Sequence, residues 1–163
     1  MFKVLKNGTA PTRGSKYSAC VDLYASNDVI IGAGETAVVG LGVCIDFSDN
    51  WKYKNGMVDS HCFGVIKENI EHNSFRYFKK THYLQLNPQS SIRSKGLISG
   101  VEVIYLDFEQ EIKIIIHNPY QNSQHNGNYP IKKGDKLAQI TLLEHKSYLF
   151  GCDGGFGSTD GKG

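Results

Sequence analysis

Short apolar runs, each cut off by glycine or another turn residue before it can complete a helix, constrain this chain most. Met1–Leu5 alternates, and Asn7-Gly8 and Pro11–Gly14 are turn chemistry. Val29–Ile31 is a short apolar run stopped by Gly32–Gly34. Glu35–Phe47 holds two β-rich runs separated by glycines. Tyr83–Leu86 returns to alternation, and Ile131–Leu143 turns at Gly134-Asp135 before a strand. Helical periodicity is poor throughout the first half. Eighteen Gly against four Pro fits many turns. The pattern predicts an all-β sandwich or barrel, with enough chain for one domain and a real core.

The stretch Pro88–Asn118 draws attention as a site. It opens with Pro-Gln-Ser-Ser, a polar turn. It then runs apolar through Leu97, Ile98, Val101, Val103 and Ile104, turns polar at Asp107–Glu111, and closes on Ile112–Ile116. Two apolar runs around a short charged segment predict a β-hairpin, with Ser, Tyr, Asp and Phe near its bend. Asp22 stands inside the otherwise apolar YSACVDLYA. It serves either as a tie to a turn or neighbouring backbone, or as a ligand contact.

The net charge of +2 is too small to argue for nucleic acid or membrane by bulk electrostatics. No apolar run approaches a membrane span, and MFKVLKNGTAP lacks the apolar segment of a signal peptide. Cys20, Cys44, Cys62 and Cys152 are not paired at metal-ligand spacing, so free thiols in a reducing cytoplasm are expected. Asp49–Thr81 is an aromatic and basic excursion, with a helical turn or two expected at Ile66–His72. Its mixture matches a nucleic-acid patch, yet packing a small core of its own is the favoured reading. His61, Cys62, His72 and His82 fit no zinc pattern. The tail Gly151–Gly163 cannot build a core; it is a frayed end or a flexible arm whose amides close over an anion.

In this order the segments resemble the trimeric dUTP diphosphatase (dUTPase) family across most of the chain outside 49–81. Ala19–Ala25 (ACVDLYA) looks like the first motif and Pro88–Ile92 (PQSSI) the second. Glu102–Glu111 (EVIYLDFEQE) aligns with the third, Gly134–Gln139 (GDKLAQ) looks like the fourth, and Gly154–Thr159 (GGFGST) matches the fifth. The resemblance implies a jelly-roll-like β-clip subunit spanning 1–163, an insertion at about 49–81 and a glycine-rich arm at about 151–163. It also implies a homotrimer with nucleotide sites at subunit interfaces. On that alignment the third-motif hairpin, with Ile104, Tyr105 and Phe108, forms the base pocket. Ser90, Ser91 and Gln139 contact phosphates, Phe156 stacks on the base, and Ser158 and Thr159 reach the terminal phosphate. No metal is required for binding; hydrolysis would call for Mg²⁺.

The departures bear on chemistry. Tyr105 stands where the family carries the aspartate that activates water, and a neutral phenol with an ordinary pKa of about 10 is a poor base. Losing a positioned base removes roughly 10²–10⁴ in rate. Phe108 replaces a tyrosine, and Cys20 a glycine. Gln89 and Gly151 replace arginines whose charged forks a neutral group cannot imitate. The resemblance therefore implies a nucleotide-binding protein with weak hydrolysis, a viral-type sponge acting in a host cytoplasm. The alternative is an active dUTPase in which Asp107 takes over water activation and Arg93 or Lys95 supplies the missing cation. An interaction module built on the 49–81 excursion is a third reading. SSIRSKGL is also faintly similar to a dCTP deaminase motif, but the catalytic glutamate of that family would fall near Ile115.

Overall fold

Burial along Glu111–His117 alternates strictly: Ile112, Ile114 and Ile116 are buried, and Lys113 and Ile115 face outward. That period of two is a half-buried strand, and it recurs in His82–Pro88, where Leu84, Leu86 and Pro88 turn inward. The computed structural model describes residues 1–46, 78–119 and 127–150. Nine strands run through them: β1 Phe2–Val4, β2 Val21–Tyr24, β3 Val29–Ile31, β4 Thr36–Ile45, β5 His82–Pro88, β6 Glu102–Tyr105, β7 Glu111–His117, β8 Tyr129–Ile131 and β9 Lys136–Glu144.

They form an antiparallel three-stranded sheet β1-β4-β7, a four-stranded sheet β2-β9-β5-β6 and a two-stranded sheet β3-β8. The inward faces of all three meet in one core, which includes Leu23, Leu41, Leu84, Ile114, Ile131 and Ile140. At about 25 cal/mol per Å² of apolar surface, such burial is the main stabilising term. The all-β architecture expected from the sequence is the one observed.

Three local expectations are corrected. The apolar runs of the 88–118 stretch do not pair as a hairpin. β6 pairs with β5, matching Leu84 to Ile104, and β7 pairs with β4, matching Val39 to Ile114. Each run thus lies beside a strand whose buried residues fall in the same register, and residues 106–110 carry the chain from one sheet to the other. Glu35–Phe47 is not two runs but one ten-residue strand, β4, with its register shift between Gly40 and Cys44. Gly42 sits there at φ 66°, and its peptide N–H donates to Glu111 Oε1 at 2.9 Å. The polar turn at Pro88 opens the five-residue helix Ser90–Ser94, pinned by buried Ile92.

The 49–81 excursion lies outside the described residues except for a helical turn at 78–81. There His82 stacks on Phe78 with ring centroids 4.3 Å apart. Cys20 and Cys44 are free thiols. No helix among the described residues is long and apolar enough to cross a membrane.

Candidate functional site

The outer face of the sheet β2-β9-β5-β6 carries the polar residues that the core face excludes. One row across it reads Asp22, Gln139, Asn87, because Asp22 pairs with Gln139 on β9 and Gln139 with Asn87 on β5. Asn87 Oδ1 in turn accepts from Gln85 Nε2 at 3.0 Å. The chain leaves β5 beside this row: Pro88 pairs with Ala138, and Gln89 N donates to Leu137 O. The helix Ser90–Ser94 starts there. With Ile92 buried, it leaves Ser90 and Arg93 exposed and Ser91 half-buried. Ser90 and Ser91 of the second motif, Arg93 just after it and Gln139 of the fourth thus lie at one end of the sheet.

Asp22 is only 4% exposed. Its backbone bridges to Thr12, while its carboxylate engages side chains: Oδ2 accepts from Lys136 Nζ at 2.7 Å and Oδ1 from Gln139 Nε2 at 3.1 Å. Strict alternation would put Lys136 and Gln139 on opposite faces. The irregularity in the β2–β9 ladder, between Leu23 and Tyr24, brings Lys136 around to the carboxylate's side. The hydrogen bond to Asp22 pushes the Lys136 ammonium above the ordinary lysine range. Lys136 lay inside the GDKLAQ motif, but no feature of the sequence signals the irregularity that aims it.

Tyr105 lies on the same outer face at the opposite end. It pairs with Tyr83, which pairs with Leu143, four residues along β9 from Gln139. With about 3.3 Å per residue and about 4.8 Å between strands, Tyr105 and Gln139 are roughly 16 Å apart. Tyr105 is 66% exposed and Phe108 is also exposed. Ile104 is a core side chain at 8% exposure, so only its main chain is left to meet a ligand. Asp107 lies past the end of β6, in the turn where Phe108 N donates to Tyr105 O at 3.1 Å. It is not a residue of a continuing regular strand. Lys95 is committed: hydrogen bonding to Tyr129 raises its pKa, and its ammonium lies 5.5 Å from that ring's centroid. Phe156, Ser158 and Thr159 lie outside the described residues.

Beside Tyr105 the outer surface is apolar. Ile98, Val101, Val103 and Ile115 are exposed, and an open groove runs between Ile98, Val103, Ile115 and His117.

No family model matches the chain. It is 30% identical to the deoxyuridine 5'-triphosphate nucleotidohydrolase of Candida glabrata, over 84% of this chain and 71% of that protein. It is 27% identical to the enzyme of the same name from Debaryomyces hansenii, over 98% of this chain and 85% of that one. Among solved structures it superposes on a triple mutant of the dUTPase of Staphylococcus bacteriophage 80alpha with dUpNHpp. The TM-score is 0.63 with 18% identity, covering 90% of this chain and 82% of that one. A dUTPase variant from phage phi11 of S. aureus, described with a structural Mg(II) ion, superposes at TM-score 0.64 with 19% identity. That match covers 90% of each chain.

Proposed function

Because this chain belongs to the deoxyuridine 5'-triphosphate nucleotidohydrolase (dUTPase) family, we propose that it binds a deoxyuridine nucleotide in a site that two copies complete. The observation that carries this reading is the separation along the outer sheet face. The phosphate end (Ser90, Ser91, Arg93, Gln139) and the base end (Tyr105, Phe108) lie roughly 16 Å apart in one chain, by strand spacing. In the proposed arrangement the two ends of one chain serve different ligands. The two ends meet on one ligand when the base end of one copy faces the phosphate end of another. The apolar surface beside Tyr105 supports such packing, and a homotrimer closes it with rotational symmetry. The arm at 151–163, with Phe156, Ser158 and Thr159, then covers the ligand.

On the chemistry, Tyr105 favours retention over cleavage. A phenol in place of the water-activating carboxylate leaves bound nucleotide intact, so the protein sequesters it, as a sponge does. The opposing reading is an active dUTPase releasing dUMP and pyrophosphate. The activity named for the relatives favours it, as does the exposed carboxylate of Asp107 two residues from Tyr105. Hydrolysis would use Mg²⁺. Among the described residues no three His, Cys, Asp or Glu side chains gather around a metal position. Such a surface fits an ion that arrives on the nucleotide's phosphates, as Mg²⁺ does in phosphoryl-transfer sites.

One experiment tests both levels. Thermal stability is measured with dUTP, dUMP and dUpNHpp, and pyrophosphate release is followed in the same samples with Mg²⁺. Ligand binding to the folded state alone raises the midpoint, so a flat response to all three refutes the nucleotide reading. Intact dUTP supports sequestration, and Tyr105→Asp then gains cleavage. Turnover in the unmodified protein that Asp107→Asn abolishes supports the hydrolase instead.

A further inference from the structure

The helix Ser90–Ser94 carries a single charge, Arg93, and nothing in its own segment neutralises it. Side chains three and four positions apart are neighbours on a helix. For Arg93 these are Gln89 and Ser90 on one side and Gly96 and Leu97 on the other, all uncharged. Arg93 joins neither of the ion pairs among the described residues, Lys132 with Asp28 and Lys136 with Asp22. From this placement we infer that Arg93 is a specificity-determining residue: its guanidinium grips the phosphate chain of the ligand and makes this end prefer a nucleoside triphosphate to a monophosphate. The inference rests on the nucleotide reading above.

The geometry of the turn carries it. Buried Ile92 fixes which way the helix faces, and Ser90 and Arg93 are both exposed on its outward side. Helical side chains lean toward the N-terminus, so Arg93 covers the turn that Gln89 and Ser90 open. Gln89 is neutral, and its side chain makes no capping hydrogen bond. It stands one turn before Arg93, where Cβ atoms are about 5–6 Å apart. A charge carried at position 93 therefore serves the same space as a charge at position 89. The neighbouring cations are already held. Lys95 closes the helix with its ammonium 5.5 Å from the centre of the Tyr129 ring, and Lys136 bonds Asp22 at 2.7 Å. Arginine suits the task, because its planar fork stays charged and spans two oxygens at once. A triphosphate brings more oxygens and more charge to that fork than a monophosphate does.

A residue that merely supported the helix would affect both ligands alike, and this separates the two roles. Dissociation constants for dUpNHpp and dUMP are measured by calorimetry on the full chain, with Arg93→Gln and Lys95→Met beside the unmodified protein. Loss of a charge-assisted fork should weaken dUpNHpp about tenfold or more in Arg93→Gln, against less than about threefold for dUMP. The remaining dUpNHpp affinity should also depend less on salt, since one screened attraction is gone. Lys95→Met should leave the ratio of the two affinities unchanged. Moving the charge back one turn, with Gln89→Arg in the Arg93→Gln background, should restore most of the preference for dUpNHpp. An unchanged ratio in Arg93→Gln, whether both affinities fall or neither does, overturns the inference. So does a selective loss of dUpNHpp in Lys95→Met instead. An unmodified protein that binds neither ligand refutes the nucleotide reading itself; one that binds both with a ratio indifferent to Arg93 refutes this inference alone.

Discussion

Replacing Asn118 by alanine should remove a cross-tie that three loops share. Asn118 is fully buried just past β7. Its Nδ2 donates to the carbonyls of Ile31 at 2.9 Å, Gly32 at 3.1 Å and Gly127 at 2.7 Å. Its own backbone accepts from Gly34 N and donates to Glu35 O, and alanine preserves both bonds. The substitution therefore isolates the side chain. Two amide hydrogens shared among three acceptors are worth about 1 kcal/mol each net, and carbonyls left buried and unpaired cost about 1–3 kcal/mol more. The expected loss is about 2–4 kcal/mol. For a chain of this size each kcal/mol moves the midpoint by about 2–4 °C, so the shift is roughly 5–15 °C. Asn118→Asp makes the argument sharper. It keeps the shape but aims an acceptor oxygen at three carbonyl oxygens, so at neutral pH it should be less stable than the alanine variant. Its folded-state pKa would rise above the unfolded carboxylate value. A group with a raised folded pKa contributes stability at low pH that is lost as pH rises, so the aspartate deficit should shrink below about pH 4. Denaturant and thermal unfolding at one fixed protein concentration check this. An alanine variant within about 0.5 kcal/mol of the parent, the ordinary range for a surface change, refutes the reasoning; so does an aspartate variant as stable as alanine at pH 7.

Three further outcomes follow from the same contacts. Gly8→Ala should unfold the protein or cost several kcal/mol, since its new Cβ would collide with the Gly42 carbonyl oxygen; expression and circular dichroism read this. Glu111→Ala should cost about 1–3 kcal/mol, because the carboxylate accepts from Gly42 N and Ser26 Oγ. Glu111→Gln keeps an acceptor oxygen and should lose less than about 1 kcal/mol in denaturant titration. The Lys136–Asp22 pair should contribute a constant stability difference between the parent and Lys136→Met from pH 7 to 9. The folded Lys136 pKa is raised above its ordinary value of 10.5. Its contribution is therefore present below that value and fades as pH climbs through the raised one, so a difference that vanishes by pH 9 contradicts the pair.

Much of this architecture can be read from residue order alone. Val29–Ile31 is a strand with the expected bounds, and Ile112, Ile114 and Ile116 point inward as alternation demands. The turn at Gly134 holds φ 87°, where glycine is favoured. Partner choice is harder. Val103-Ile104 and Ile112–Ile116 are both good strand sequences with a polar bend between them, and nothing local distinguishes a hairpin from a crossing between sheets. The deciding contacts come from β5 and β4, far away along the chain. Gln139 and the serine pair stood out by motif. Lys136 did not, because its direction depends on one ladder irregularity. Asn118 gave no signal either, since its value depends on three distant carbonyls converging on a single nitrogen.

The roughly 16 Å between the two ends of the outer sheet face has a genetic consequence. If each site borrows its halves from different copies, damage at the two ends is separable. A chain crippled at Gln139 still lends an intact Tyr105 end, and a chain crippled at Phe108 still lends an intact serine helix. Mixed in one assembly, two individually silent versions would regenerate some whole sites by complementation. One defective copy expressed beside normal ones would conversely spoil sites in neighbours whose own sequence is sound. Inheritance of such defects would follow the composition of the assembly rather than the single gene product.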